Sequence, residues 1–298
     1  MDRFDAMTAF VVVCETQSLT AAARRLGLSP SVMSRQIAAL ESRLGARLFQ
    51  RTTRQISLTD AGARYLERAR RILADVDEAE RAAQSDKTEP SGRLSVTAPL
   101  IFGRLHVAPL LARLVERHSK VSVELALSDR FVNLIEEGHD LAIRIGHLPD
   151  SQLIARRCGE TRRALVASPS YLARAGVPQH PVDLLRHDTI AFMPGTPPFN
   201  WHFNEGGADL KVSLAPRFLT NSGDTAIALA LDGVGIARVL YYQVLEAVSE
   251  GRLVEVLAPF APEPMPIHAV YPSARFLSGK VRAFVELIGE MADWRLAR

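Results

Sequence analysis

The stretch LGLSPSVMSRQIAALESRLG (26–45) gathers Ser29, Pro30, Ser31, Ser34, Arg35 and Gln36 within about two helical turns. Hydroxyl, guanidinium and amide groups are the side chains that reach base edges and phosphate oxygens in a DNA groove. Ser29 can accept from the orphan N–H groups of a helix start, and Pro30 suits the first helical position, where its missing N–H costs nothing. Met33, Ile37, Leu40 and Leu44 follow at steps of four, three and four, which makes one apolar stripe on a helix. The polar set lies off that stripe, at the exposed N-terminal end. A merely solvated helix face is the other reading of the same residues, and the neighbouring segments separate the two.

Upstream, SLTAAARRLG reads as a short helix capped by Ser18, with Thr20 in its first turn and Gly27 at its end. Two helices joined through Gly27-Leu28-Ser29 make a helix-turn-helix pattern, in which the second helix enters the major groove N-terminal residues first. Phe4, Met7, Phe10, Val11 and Cys14 fall at helical spacing and predict a supporting helix over 3–16. Downstream, ARLFQRTTRQISLT alternates like a short hairpin and carries Arg47, Arg51 and Arg54, a basic wing suited to backbone phosphate. From Thr20 to Arg71 there are eleven basic residues against three acidic, a difference of +8, whereas the whole chain is only +3. Arginines scattered without purpose are the alternative. The coincidence of charge and motif favours the electrostatic footprint of a DNA binder.

From Thr59 the pattern changes. TDAGARYLERARRILADVDEAERAAQS has no proline and one glycine, near its start. Leu66, Ala69, Leu73, Val76 and Ala83 form a heptad-like seam, and Tyr65, Ile72 and Ala79 a parallel stripe. This predicts a long amphipathic helix that pairs two copies and sets the spacing of two recognition helices. Packing of the helix on its own domain is the alternative. SDKTEPSGR (85–93) is a polar linker. Beyond it RLSVTAP, VSVELALS and HDLAIRIG read as strands, with GRLHVAPLLARLVERH and FVNLIEEG as helices. RRALVASPSYLARAG starts a second such unit, and LSGKVRAFVELIGEMADW reads as a helix capped by Ser278. The alternation implies an α/β domain with a largely parallel sheet.

Ligands of open α/β sheets sit at the carboxyl ends of strands. Those ends carry Thr97, Pro99, Ser128, Arg144, Phe192, Asn221 and Ser222, a set suited to a small anion. Each hydroxyl taken alone also reads as a helix cap, and Arg144 reads equally well as a hinge ion pair.

The composition excludes several classes. At 298 residues, 47% hydrophobic and 23% charged, the chain is expected to be globular, with about two domains. No apolar run approaches a membrane span, and MDRFDAMTAF does not read as a signal peptide. Cys14 and Cys158 stand far apart without metal-ligand spacing, which fits a reducing cytoplasm; a redox switch using both is a second reading. No Walker A sequence, H-E-x-x-H or G-x-S-x-G occurs, Gly233-Val234-Gly235 lacks a third glycine, and the histidines form no metal pair at helical spacing. No enzyme activity, metal or cofactor is expected.

AAARRLGLSPSVMSRQIAALESRLGARLF followed by RTTRQISLTDAG resembles the N-terminal signature of LysR-type transcriptional regulators. DLAIRIGHLPDSQLIARR, VASPSYLARAG, DGVGIA and YPSARFLSGKVRAFVELI resemble the large subgroup of neisserial and other proteobacterial regulators of that type, so the likeness covers essentially the whole chain. It implies a winged helix-turn-helix over 1–59, a dimerising linker helix over 60–91 and a two-lobed effector domain of periplasmic-binding-protein type II over 92–298. Lobe I would comprise 92–162 and 268–298, and lobe II 163–267, with a coinducer in the cleft. The family's recognition positions fall on Ser29, Pro30, Ser31, Ser34 and Arg35, with Gln common in relatives where Ser29 stands here. The family's Ser/Thr position after the first strand falls on Pro99, near Thr97, and its second hydroxyl position on Ser128. GVGIARVLYYQV departs from the family pattern: Arg238 stands where small or apolar residues are usual, and a proline is missing. An added arginine there favours an acidic effector. Double-stranded promoter DNA, a small-molecule effector, RNA polymerase and further copies of the chain, as dimer or tetramer, are the expected partners. A solute-binding transport protein shares the effector fold, but it would need an export signal and would lack residues 1–90.

Overall fold

Capping chemistry sets the first three helices. A computed structural model describes residues 2–51, 56–84, 89–130, 134–192, 199–272 and 277–297, without the side chains at 51, 71, 74, 75, 77–84 and 135. The chain divides into two compact units, Met1–Thr88 and Glu89–Arg298. In the first, α1 (Arg3–Thr16) starts where the Asp2 carboxylate accepts from the Phe4 N–H. Then α2 (Leu19–Arg25) starts at Ser18, whose hydroxyl accepts from Ala21 N–H at 3.3 Å. Last, α3 (Pro30–Leu44) starts at Ser29, which accepts from Val32 N–H at 3.3 Å, with Pro30 at the first helical position and Gly45 closing the helix. Each cap satisfies an N–H that the helix cannot. Phe10, Val13, Ala22, Met33, Ile37 and Leu40 bury into one core, against which Phe10 stacks Phe49 at 5.1 Å and Tyr65 at 5.3 Å. The expected α1 stripe is corrected at its start: Phe4 is 42% exposed, and Val12 and Val13 are buried instead.

Strands β1 (Phe49–Arg51) and β2 (Ile56–Leu58) pair antiparallel as the expected hairpin, and α4 (Asp60–Gln84) follows. Ala69 is fully buried in the core of its own unit, with Tyr65, Leu66 and Leu73 packed around it, while Ile72 is 40% exposed. The front half of the seam therefore packs in part on its own unit. The side chains of Ala79 and Ala83 lie outside the described residues.

The second unit holds two sheets. In lobe I, β3 (Gly92–Ala98), β4 (Val121–Leu127), β5 (Leu141–Ile145), β6 (Ile154–Thr161), β14 (Met265–Tyr271) and β15 (Trp294–Leu296) take the order β15-β6-β14-β5-β3-β4. In lobe II, β7 (Arg163–Ala167), β8 (Thr189–Phe192), β11 (Phe218–Thr220), β12 (Ile236–Leu240) and β13 (Val254–Val256) take the order β11-β8-β12-β7-β13. The expectation of largely parallel sheets is corrected. β3 runs parallel to β4 and β5, but β14 is antiparallel to β5 and β6, and β7 is antiparallel to β12 and β13. The physical reason is connectivity: β7 and β14 are the first strands after the chain crosses between lobes, so they do not belong to right-handed βαβ units. β14 begins at Met265, somewhat before the boundary expected at 268.

Helical segments cover the sheets. α5 (Leu100–Phe102) passes through a π-helical turn (Gly103–Val107) into α6 (Ala108–Arg117). The others are α7 (Leu134–Glu137), α8 (Pro169–Ala175), α9 (Gly223–Leu231), α10 (Leu245–Ser249) and α11 (Gly279–Met291), the last capped by Ser278 as expected. β9 (Phe199–Glu205) and β10 (Ala208–Leu214) form a hairpin that lays Trp201 and Phe203 on one face of the lobe II sheet. Ala226, Ala230 and Val244 pack on the other face. Among the described residues, no helix is long and apolar enough to cross a membrane, and no group of three His, Cys, Asp or Glu could hold a metal.

Candidate nucleic-acid interface and effector cleft

The first turns of α3 combine local order with exposure. Ser29 and Ser31 share a 3.0 Å contact between hydroxyls, both exposed, and the Ser29 hydroxyl also caps the helix. Arg35 is exposed one turn further on and has no ion pair among the described residues, whereas Arg25 of α2 is held by Glu15 at 2.8 Å. Arg35 is thus available to a partner and Arg25 is partly committed. Ser34 and Gln36 are half-buried beside the stripe, and the Gln36 Oε1 finds no hydrogen-bond partner. Ser18 is half-buried as a cap and Thr20 exposed. The Arg51 side chain and the whole of Arg54 lie outside the described residues.

Sequence reading missed what fixes the hairpin against α3. The Glu41 carboxylate accepts from Leu48 N–H at 2.8 Å and Phe49 N–H at 3.1 Å, tying the last turns of α3 to β1. Thr59 Oγ1 donates to the Arg47 carbonyl at 2.7 Å and accepts from Gly62 N–H at 2.9 Å, capping α4. Gly62 lets α4 lie against the hairpin: a Cβ there would fall on the Leu48 carbonyl oxygen and come within 2.9 Å of Leu58 Cδ2. Only the S/T-x-x-G sequence of Thr59-Asp60-Ala61-Gly62 hints at this arrangement.

In the second unit, the expected effector residues separate into three groups. Ser128 and Ser222 are both used locally: Ser128 Oγ accepts from Arg130 N–H at 3.2 Å in a turn, and Ser222 Oγ caps α9 by accepting from Thr225 N–H at 3.3 Å. Pro99 offers no side-chain cap to α5; Asp129 does so instead, its carboxylate accepting from Leu100 N–H at 3.0 Å. Thr97 and Arg144 are both buried on the α7 face of the lobe I sheet, the Thr97 hydroxyl without a partner. Burial lowers the Arg144 pKa, and Glu137 of α7 is the charge that opposes this shift. Asn221 is exposed and Phe192 half-buried, at the ends of β11 and β8. Arg238 lies within lobe II with its guanidinium 4.8 Å from the Trp201 ring centroid.

What joins the lobes is a seam absent from the sequence reading. Phe102 meets Tyr242 edge-on at 5.3 Å, and His106 meets it at 5.4 Å. A Cβ on Gly223, at the start of α9, would lie 3.0 Å from Ile101 Cδ1, so the two helix starts approach closely. Burial raises the Tyr242 pKa, and the charges of Asp129 and Asp224 add to the shift. Burial lowers the His106 pKa, and its Nε2 has no hydrogen-bond partner among the described residues. At the hinge, Arg162 stacks 3.8 Å over Tyr241, grips the Glu255 carboxylate with both terminal nitrogens and donates through Nε to the Ala297 carbonyl at 3.0 Å. It thereby ties β13 of lobe II to the end of β15 in lobe I.

The two cysteines occupy different units. Burial pushes the Cys14 thiol up to about 11 and also raises Cys158. Reactive cysteines need the opposite shift, so both sites are poor sources of thiolate.

Residues 4–63 match the family model for bacterial regulatory helix-turn-helix proteins of the LysR family, and residues 87–293 match the LysR substrate binding domain. The regulator PtxR of Pseudomonas aeruginosa is 38% identical over 95% of this chain and 90% of its own length. The regulator CrgA of Neisseria meningitidis serogroup B is 36% identical over 95% of each chain. The crystallographic CrgA chain superposes with a TM-score of 0.62 at 35% identity, covering 97% of this chain and 99% of that one. The Vibrio cholerae virulence activator AphB gives a TM-score of 0.62 at 27% identity, with the same coverage. A capped recognition helix, a basic hairpin and a two-lobed α/β unit, matched end to end by these models and relatives, place the chain in the LysR family of helix-turn-helix transcriptional regulators.

Proposed function

We propose that this regulator recognises promoter DNA with Ser29, Pro30, Ser31, Ser34, Arg35 and Gln36 of α3, supported by Ser18 and Thr20 and by phosphate contacts from Arg51 and Arg54. The observation that carries this reading is the exposed Arg35, which stands without an ion pair among the described residues one turn beyond the Ser29 cap. Arginine reads guanine bidentately in the major groove, and each such pair discriminates by about 1–3 kcal/mol. Two copies, or a tetramer, set the half-site spacing. A small acidic molecule bound in the second unit, for which Thr97, Pro99, Ser128, Arg144, Phe192, Asn221, Ser222 and Arg238 are the candidate contacts, favours one arrangement of the lobes. It shifts transcription only by its differential affinity for the two states. The protein works in the cytoplasm, engages RNA polymerase at the promoter and catalyses no reaction. Footprinting on promoter fragments tests the DNA part. Arg35→Ala should abolish the site-specific footprint and leave salt-dependent non-specific binding, since the remaining arginines still neutralise phosphates. An unchanged footprint would remove α3 as the reading head.

A further inference from the structure

Two arginines share one face of the lobe II sheet without a carboxylate. The register places Arg238 opposite Leu165 and Arg163 opposite Leu240, so the two are diagonal neighbours on that face. Diagonal positions lie about 7–8 Å apart, within reach of long side chains. Both are half-buried, and Trp201 of β9 covers Arg238 from the hairpin side. Arg238 Nη1 is fully removed from solvent and has no hydrogen-bond partner among the described residues. Among the described residues, neither arginine has an ion pair. Glu255, the carboxylate on neighbouring β13, lies across from Val166 on the opposite face and is committed to Arg162.

This arrangement is costly for the protein alone. Like charges that share a buried face repel, and an uncompensated buried cation is among the more destabilising groups a fold can carry. Burial holds the Arg238 guanidinium down to about 9, and the charge of Arg163 contributes to that depression. Arg163 is lowered by burial as well. A purely structural arginine over Trp201 would gain from a nearby acid, and none pairs with it among the described residues.

We infer that Arg163 and Arg238, the latter roofed by Trp201, form an anion seat in lobe II that takes a small dicarboxylate. One carboxylate meets the Nη1 edge of Arg238, and the second faces Arg163. A guanidinium fork matches a planar carboxylate bidentately, and the aromatic face fixes the plane of the fork. The two ligand charges neutralise the two cations. The inference rests on the effector-binding reading of this unit and names the ligand class that reading leaves open.

The test uses the full-length protein, isothermal titration calorimetry and thermal melting. Succinate, phthalate and inorganic phosphate are the probes, with dimethyl succinate as the uncharged control. Saturable binding of a dicarboxylate, one per chain, is expected, with no binding of the diester. Arg238→Met and Arg163→Met should each weaken it about ten- to a hundredfold, the range for losing a charge-assisted contact. Without anion, Arg238→Met should melt at or above the wild-type temperature, because an uncompensated charge is gone. If Arg238→Met melts early, Arg238→Lys keeps the charge, loses the fork and carries the binding test. Absence of saturable binding by every probe, or unchanged binding in both the Met and Lys variants, would overturn the seat. Binding of phosphate in preference to either dicarboxylate would overturn the ligand class. If a cell-extract metabolite shifted promoter occupancy equally in the wild type and both Met variants, the seat would fall while the effector reading stood.

Discussion

Replacing Gly62 by alanine tests how the wing is fixed to the recognition helix. The added methyl would fall on the Leu48 carbonyl oxygen and come within 2.9 Å of Leu58 Cδ2, so the start of α4 must move off the hairpin. That carbonyl accepts from Thr59 N–H at 3.0 Å and from Thr59 Oγ1 at 3.3 Å, and both bonds stretch when α4 moves. Each lost bond is worth about 0.5–1.5 kcal/mol net, and overpacking a tight contact costs about 1–3 kcal/mol. The gain of alanine over glycine in a helix offsets about 1 kcal/mol of this, leaving a net loss of about 1–5 kcal/mol. Hydrogen exchange of the full chain reads the effect locally, because it reports opening amide by amide. Amides of α1, α2 and α3 should exchange roughly 5- to 5,000-fold faster, while those of lobe I and lobe II stay unchanged. Promoter affinity should fall with them. Exchange within about threefold of wild type, a difference under 1 kcal/mol, would mean that the close approach of α4 to the hairpin is not what the fold relies on.

Other perturbations follow from the same contacts. Glu41→Ala leaves the Leu48 and Phe49 N–H groups without their acceptor and should cost about 1–3 kcal/mol in the first unit; an unaffected melting transition would show that water replaces the carboxylate. His106 is held neutral by burial against Phe102 and Tyr242, so its folded pKa lies below 6.5. As pH falls below 6.5 the unfolded chain takes up this proton first, so the stabilising contribution is present above that value and lost on acidification. His106→Phe should flatten the acid limb of stability against pH by up to about 1.4 kcal/mol per pH unit, leaving the part due to His268, and an unaltered slope would place the proton elsewhere. Arg162→Met removes the grip on Glu255 and the Ala297 carbonyl and leaves a partly buried carboxylate without its partner. A loss of about 3–5 kcal/mol in the second unit is expected, and urea unfolding with an unchanged midpoint would discount the hinge clamp.

The helix-turn-helix was legible because its signals are local. Ser18, Ser29, Pro30 and Gly45 act within one turn of themselves, so residue type and spacing specify the helix boundaries without tertiary knowledge. The α4 seam was harder. Periodicity tells which residues share a face, not which surface covers it, and Ala69 proved to pack on its own unit. Parallel alternation was read into strands whose direction is set by the crossings at Arg162 and before Met265, which no residue pattern marks. Hairpin β9–β10 escaped notice although Trp201 and Phe203 alternate in it. The lobe seam of Ile101, Phe102, His106, Gly223 and Tyr242 joins positions far apart in sequence and left no spacing to find. Arg238 stood out as a departure from a family pattern; its diagonal partner Arg163 emerged only from the strand register.

Genome-wide occupancy of the tagged full-length protein, compared with its Arg35→Ala variant at equal abundance, tests the regulator reading most directly. Sharp wild-type peaks over an interrupted palindrome are expected, one of them beside the protein's own gene, and the variant should lose them. Folded wild-type protein without a peak anywhere, whether or not cell-extract metabolites are supplied to it with promoter DNA, or peaks that persist in Arg35→Ala, would contradict DNA recognition by α3.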